Sequence, residues 1–305
     1  MKPKVSVVVC TRNRADSLQQ ALKSLLTLKT SEAVSYEVLV VNNNSTDNTS
    51  QVVRLIGDST AIQVREVIET QAGVVYARNR GVAEAQGEWI AFFFFFFLDH
   101  PDWLLSLMAL AQEKNCLCVG GSVLLSLPED HSRELSPICR MLLGETVNMN
   151  STQQYTPRQT PGAGNIMIHR DVFGKIGLFD PQFNTRGEDT DLFLRMFAAN
   201  IDGWYTPDAI IYHVITTERM TTDYMLRLAN IMSTGMAVDE RNVVGRVIYP
   251  LYWVARFLQA SFVIFPKYMW SSLCRREEDQ LGWKCRLQIA KHYLKEGFPL
   301  LLPTT

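Results

Sequence analysis

The stretch Val5-Ser6-Val7-Val8-Val9-Cys10-Thr11-Arg12-Asn13-Arg14 decides the fold. Its first six residues are mostly β-branched and uncharged, the pattern of a short strand buried on both faces. The polar segment 11–14 ends that strand as a loop. Leu18, Ala21, Leu22, Leu25 and Leu26 then recur at helical spacing, and Asp16 or Ser17 is placed to cap the helix they define.

The same unit repeats downstream. Residues 36–41 read as a second buried strand, Asn42-Asn43-Asn44-Ser45-Thr46-Asp47 as a polar turn, and 48–56 as a helix. Residues 62–67 read as a third strand, 74–85 as a helix and 89–93 as a fourth strand. This alternation predicts an α/β domain with a mainly parallel central sheet and helices on both faces. Ligands in such sheets bind beyond the carboxyl ends of the strands, where these polar turns lie. The second half is less regular. Residues 119–125, 166–168 and 209–213 read as strands, and 171–176 and the segment after Gly187 as helices. Residues 127–160 are turn-rich and polar, in the manner of a variable insertion or acceptor loop. From 216 onward the chain reads as a helical extension, which divides it into domains 1–215 and 216–305.

Composition sets outer limits. The 305 residues are 47% apolar and 20% charged, which is globular rather than disordered, and the net charge of −1 excludes a broad electrostatic grip on nucleic acid. Six cysteines are scattered, and Cys116-x-Cys118 is too tight for the usual zinc knuckle, so all six read as reduced thiols. Lys2 and Lys4 precede a strand-like run rather than a long apolar segment, so no signal peptide is expected. No Gly-x-Gly-x-x-Gly follows the first strand, which argues against a dinucleotide-binding oxidoreductase.

An ordered set of motifs spans residues 5–235. It comprises Val7-Val8-Val9-Cys10-Thr11-Arg12-Asn13-Arg14, Val40-Val41-Asn42-Asn43-Asn44-Ser45-Thr46-Asp47 and Ala77-Arg78-Asn79-Arg80-Gly81. Gly87-Glu88-Trp89-Ile90-Ala91-Phe92, Pro101-Asp102-Trp103-Leu104, Gly187-Glu188-Asp189-Thr190-Asp191-Leu192, Pro207-Asp208-Ala209 and His213 follow in turn. In that order and spacing the set resembles the family-2 inverting glycosyltransferases with the GT-A (Rossmann-like) fold. The resemblance implies transfer of a sugar from a nucleotide-sugar donor to an acceptor hydroxyl, the acceptor being a glycan or lipid-linked, in polysaccharide or other cell-envelope glycoconjugate assembly. It implies that Thr11, Arg12, Arg14, Asn42, Asn44, Asp47 and Arg78 bind the nucleotide-sugar, with Asn42 in the place of a common Asp that contacts base or ribose. It implies Asp189 as the general base, with Glu188 and Asp191 supporting it or binding acceptor, and His213 as a metal or diphosphate contact.

The family also implies Mg²⁺ or Mn²⁺ held by carboxylates at the positions that Phe94, Phe95 and Phe96 occupy here, inside a run of six phenylalanines over 92–97. A benzene ring offers no oxygen to a hard dication, so metal binding by this chain is doubtful. The alternative to an active enzyme is an inactive family member that binds nucleotide-sugar, acceptor or a partner protein.

Pro250 and Pro266 frame an apolar, aromatic run with Arg256 at its centre. A helix of that length spans only ~22 Å, short of a hydrocarbon core of ~30 Å. Lys267, Tyr268, Trp270, Arg275 and Arg276 follow it, which suits a helix lying at an anionic membrane surface through 247–270. Packing against the catalytic domain and a tilted membrane span over 247–270 are the alternatives. The expected location is cytoplasmic, peripheral at the inner face of the cell membrane.

Overall fold

The computed structural model describes residues 2–31, 34–93, 97–128, 134–146, 149–157, 159–183, 187–274 and 277–302, with 97–99 and 277–279 as backbone. They fall into two compact units, one of Met1–Leu124 with Asn148–Val214, the other of Leu125–Val147 with Ile215–Thr305.

In the first unit the chain runs β1 (Val5–Thr11), α1 (Ala15–Leu25), β2 (Tyr36–Asn42), α2 (Thr49–Gly57), β3 (Val64–Ile68), α3 (Val74–Glu84) and β4 (Trp89–Phe93). It continues through β5 (Phe97–Asp99), α4 (Trp103–Lys114) and β6 (Cys118–Ser126). After α5 (Pro137–Leu142), which belongs to the second unit, come β7 (Gln153–Gln154), β8 (Asn165–His169), α6 (Arg170–Ile176), α7 (Glu188–Ala198) and β9 (Trp204–Val214). The strand order is β3-β2-β1-β4-β8-β6-β9-β5, with β7 on β9. Neighbours from β3 to β4 are parallel, and β8 runs antiparallel to both β4 and β6. The sheet is therefore mixed, with a parallel block that holds the strand–helix repeats seen in the sequence.

Alternation along the strands divides the core between two faces. Val5, Val7, Val9, Val38 and Val40 pack with Leu18, Leu22, Leu25, Val53, Trp103 and Leu107, so α1, α2 and α4 cover one face. Val8, Leu39, Val41, Ile90 and Phe92 pack with Val75, Ala77, Val172, Leu192 and Phe193, so α3, α6 and α7 cover the other. Gly81 of α3 lies so close to Val8 that a Cβ there would collide with its methyl group, which is why the helix carries no side chain at that point. Phe92 and Phe93 are buried on opposite faces, Phe92 edge-on to Phe179 at 5.5 Å and Phe93 edge-on to Trp103 at 5.4 Å.

The second unit contains α5, α8 (Thr222–Ser233), α9 (Met236–Val244), α10 (Tyr249–Gln259), α11 (Phe265–Leu273) and α12 (Glu277–Gly297). Ile138, Cys139 and Leu142 are buried with Ile215, Met225, Ala229 and Cys285. Residues 125–147, read from sequence as part of domain 1–215, thus pack with the C-terminal helices, because α5 buries its apolar side among them. Apolar periodicity in the sequence does not single out helix α4.

In the antiparallel half, Asn165 is the buried polar anchor. Its Oδ1 accepts from Trp103 Nε1–H at 2.7 Å, and its Nδ2 donates to the carbonyls of Ser122 and Ala209, each at 2.9 Å. Removing it takes a hydrogen bond from each of three buried groups. Asn165→Ala is expected to cost about 3–5 kcal/mol, read as a lower denaturation midpoint at unchanged slope; a loss below about 1 kcal/mol would contradict this role.

Candidate active site at the strand ends

Thr11, the last residue of β1, lies in register beside Asn42, the last of β2. Both side chains are buried, and among the described residues the Thr11 hydroxyl is a buried polar group with no hydrogen-bond partner. Such a group carries a desolvation penalty unless something completes it. The loops beyond these strands are stitched together by side chains. Asn13 Oδ1 accepts from Thr46 N–H at 2.7 Å, and Ser45 Oγ accepts from Asn13 N–H at 3.0 Å. Asn13 and Asn44 both adopt positive φ, 51° and 56°, which asparagine tolerates better than most residues.

Asn43 ties three loops to one point. Its N–H donates to Thr11 O at 2.8 Å, its Nδ2 to the carbonyls of Glu69 at 3.0 Å and Gln71 at 2.6 Å, and its Oδ1 accepts from Gly73 N–H at 2.9 Å. The neighbouring Asn42 is oriented with equal definition. Its Oδ1 accepts from Ser45 N–H at 2.8 Å, while its Nδ2 donates to Glu66 Oε1 at 2.8 Å and to Ser50 Oγ at 3.3 Å. An amide donor facing a carboxylate and an amide oxygen facing a backbone N–H leave no choice about which way the group is turned. Glu66 is held in turn by Ser50 Oγ–H at 2.8 Å.

Asp47 faces the helices. Its Oδ2 accepts from Ala15 N–H at 2.9 Å and its Oδ1 from Thr49 N–H at 3.1 Å and the Thr49 hydroxyl at 2.5 Å. It therefore caps α1 and α2 together. The expected caps of α1, Asp16 and Ser17, lie inside that helix, and its end is completed from a distant loop.

Helix α3 carries the next group of contacts. Asn79 exchanges two hydrogen bonds with the backbone of Phe179, at 2.8 and 3.0 Å. Arg78 is buried, forms an ion pair with Glu188 at the start of α7, and stands 5.4 Å from the Phe179 ring centroid. Burial pushes the thiol of Cys10 on β1 up to about 12 against the pull of Arg78, so it is a neutral thiol and no nucleophile. Gly187 takes a φ of 87°, a left-handed turn that delivers the chain into α7.

The three acidic residues of α7 have different surroundings. Glu188 neutralises Arg78. Asp191 receives Arg195 Nη2 at 2.6 Å and Nε at 2.9 Å, and Arg195 also binds the carbonyls of Ile176 and Leu178, so Asp191 fixes the segment after α6. Asp189 is half-buried, accepts Thr190 N–H at 2.8 Å, and lies 3.4 Å from Ala163 N. Ala163 belongs to the turn before β8, whose Asn165 pairs with Phe93 at the end of β4. Asp189 therefore stands beside the carboxyl end of β4.

Residues 6–177 match Glycosyl transferase family 2. The chain belongs to this family. The glycosyltransferase AglE of Haloferax volcanii is 27% identical over 213 residues, which cover 69% of this chain and 67% of AglE. A GalNAc(5)-diNAcBac-PP-undecaprenol beta-1,3-glucosyltransferase of Campylobacter jejuni is 33% identical over 139 residues, 44% of this chain and 42% of that protein, so the match spans less than half its length. In structure the chain is similar to the mannosyltransferase PcManGT from Pyrobaculum calidifontis, solved in complex with GDP-Man and Mn²⁺. The TM-score is 0.65 at 15% identity, covering 98% of this chain and 88% of that one. The fold is GT-A.

That structural neighbour was solved with Mn²⁺, and the family-2 chain described here offers a poor donor set for such an ion. Phe94, Phe95 and Phe96 lie outside the described residues, and as phenylalanines they carry no oxygen. His213 pairs in register with Phe97, so it does border the run. Among the described residues no group of three or more His, Cys, Asp or Glu is arranged to hold a metal.

Of the residues singled out in sequence, Thr11, Asn42, Arg78, Glu188 and Asp189 gather around the ends of the parallel strands. Arg12, Arg14 and Asn44 are exposed on the neighbouring loops, Asp47 is engaged by the caps, and Asp191 is engaged by Arg195. Asn43, Glu66, Asn79 and Asn165 were missed. Each is an ordinary polar residue in sequence, and only the Asn42–Asn44 run signalled the first.

The Asp47 caps have a pH signature. Burial opposes its charge, but the Thr49 hydroxyl and the Ala15 and Thr49 N–H groups outweigh it and hold its pKa below the ordinary 3.8. Its contribution is therefore complete above that value and is lost as pH falls through the lowered one. Asp47→Ala is expected to cost about 1–2 kcal/mol at neutral pH. The gap from the unaltered protein should narrow on acidification, checked by denaturant titrations from pH 7 to about 2.5.

Proposed function

We propose that this chain transfers a sugar from a nucleotide-sugar donor to an acceptor hydroxyl with inversion. The observation that carries the reading is the gathering of a buried, unpartnered Thr11 hydroxyl, the oriented Asn42 amide, the buried Arg78 and the half-buried Asp189 around one set of strand ends. Thr11 and Asn42 hold the nucleoside. Arg78, fixed by Glu188, faces the diphosphate, with Arg12 and Arg14 on the adjoining loop as further cations. Asp189 takes the proton of the acceptor hydroxyl as its oxygen attacks the anomeric carbon from the side opposite the nucleotide. The new C–O bond forms while the bond to the diphosphate breaks, and the electron pair leaves with the diphosphate. Cations rather than carboxylate-bound metal stabilise that leaving charge in this chain. The acceptor is a glycan or lipid-linked glycan in polysaccharide or cell-envelope assembly, handled on the cytoplasmic side of the membrane.

The base is read by Asn42. Both its amide hydrogens are occupied inside the protein, by Glu66 and Ser50, and Ser45 N–H takes one lone pair of its oxygen, so what it has left to present is the oxygen's second lone pair. An acceptor at that point favours a base with an imino N–H, as in uracil, thymine and guanine, over cytosine and adenine. Asn42→Asp alone sets two carboxylates against each other. Binding of UDP or GDP should then weaken about tenfold, and the exchange Asn42→Asp with Glu66→Gln should recover most of it. CDP or ADP bound as tightly as UDP and GDP by the unaltered chain would refute this base preference.

A second reading, a family member that binds but does not turn over, is favoured by the phenylalanines at 94–96. One assay separates the two: donor turnover by the chain as it stands, by Asp189→Asn, and by Phe94→Asp/Phe96→Asp, each with Mn²⁺ and with a chelator. Turnover insensitive to chelator and reduced about 10²-fold or more in Asp189→Asn is the expected result. Activity only in the Asp-restored form would assign metal dependence to the ancestral site. Nucleotide binding without turnover in any form would leave the binding role.

A further inference from the structure

Among the described residues, the second unit carries a helical face of exposed apolar side chains. Helix α10, a π-helical turn over Ala260–Ile264 and α11 form one continuous helical run. Its rear side is fastened inside the unit. Tyr249, Ala260 and Ser271 are buried, Trp253 Nε1 donates to Leu294 O at 3.2 Å, and Arg256 Nη2 donates to Glu240 Oε1 at 2.9 Å. The opposite side is apolar and open. Leu251, Leu258 and Phe265 recur every second turn, and Ala255, Phe262 and Met269 recur in step between them. Leu251 is 71% exposed and Phe262 74%, with Trp270 at 69% and Leu273 at 74% at the far end. Contiguous apolar exposure of this extent marks an interaction surface rather than ordinary protein exterior.

Charge identifies the occupant. Between Glu240 and Glu277 the sequence holds Arg241, Arg246, Arg256, Lys267, Arg275 and Arg276 and no Asp or Glu, in a chain whose net charge is −1. Arg275 and Arg276 lie outside the described residues. Arg246 and Lys267 are exposed, and Lys267 lies 5.0 Å from the Trp283 ring centroid. A second copy meeting this face about a two-fold axis would set these cations against their own copies. An anionic bilayer surface meets both features at once, its headgroups pairing with the cations and its acyl boundary taking the apolar rows. Among the described residues no helix is long and apolar enough to cross a membrane, and the charged Arg256 sits within this run.

We propose that the face formed by Leu251, Val254, Leu258, Phe262, Phe265 and Met269 docks in-plane on an anionic lipid bilayer, with Arg246 and Lys267 holding the headgroups. This gives the membrane partner a defined surface, built from residues of the second unit, whereas the donor-site residues belong to the first. Nucleotide binding reports one and vesicle binding the other, so either can fail alone.

The test is co-sedimentation of the full chain with vesicles of phosphatidylcholine alone and with about a third phosphatidylglycerol. Binding is expected with the anionic vesicles and should weaken as salt rises. Phe262→Glu should lower the bound fraction about tenfold or more, and Lys267→Glu should weaken binding while making it less salt-sensitive. UDP binding and the unfolding midpoint should stay unchanged in both. Should Phe262→Glu misfold, Met269→Glu at the same exposed face replaces it. No vesicle binding, or binding indifferent to lipid charge and to these variants, overturns the proposal. A concentration-dependent dimer in sedimentation velocity, abolished by Phe262→Glu without vesicle binding, overturns it in favour of a second copy.

Discussion

The side-chain amide of Asn43 is the constraint on which the strand-end site depends. One planar group donates twice and accepts once, and its partners, Glu69, Gln71 and Gly73, span the single connection between β3 and α3. Its own backbone N–H adds the end of β1. A carboxylate has no hydrogens to give the two carbonyls, and a hydrophobic residue would leave all of these groups unpaired. Because Gly73 precedes α3, this amide also sets where that helix begins, and hence where Arg78 stands. Asn165 performs the same kind of task in the antiparallel half, joining α4 to the strands β6 and β9. Two buried amides, one in each half of the sheet, hold the segments on which the remaining site residues ride.

The electrostatics of the site follow from that frame. Arg78 and Glu188 are both buried and would each be costly alone. Together, with Phe179 against the guanidinium, they make a buried ion pair at the strand ends that locks α3 to α7. Adjacent acidic residues on α7 then part company, since neighbours on a helix point in different directions. Glu188 turns into the protein, Asp189 toward the end of β4, and Asp191 toward Arg195 one turn on. A cluster that looks uniform in sequence thus contains one counter-ion, one available carboxylate and one structural tie.

The run at 92–97 divides in the same way. Phe92 and Phe93 are core residues of β4, one on each face of the sheet, and their identity is what strand burial demands. Strand β4 ends at Phe93, and Phe94, Phe95 and Phe96 lie outside the described residues. His213 on β9 pairs in register with Phe97, with no acidic cluster around it among the described residues.

Sequence alone determined the parallel block, the apolar face of α1 and the family, because these rest on short-range periodicity and on motifs whose order survives in the chain. It also marked Thr11, Asn42, Arg78 and Asp189 as residues worth watching. Tertiary structure decided what the polar residues do. That Asp47 reaches back to cap α1, that Asn42 turns its oxygen outward from Glu66, that Asn43 rather than Asn44 is the hub, and that residues 125–147 pack with the C-terminal helices are all outcomes of long-range contacts. The physical reason is that a hydrogen bond is specified by where two groups meet in space, and partners 24 to 110 positions apart in the chain leave no local trace of their meeting.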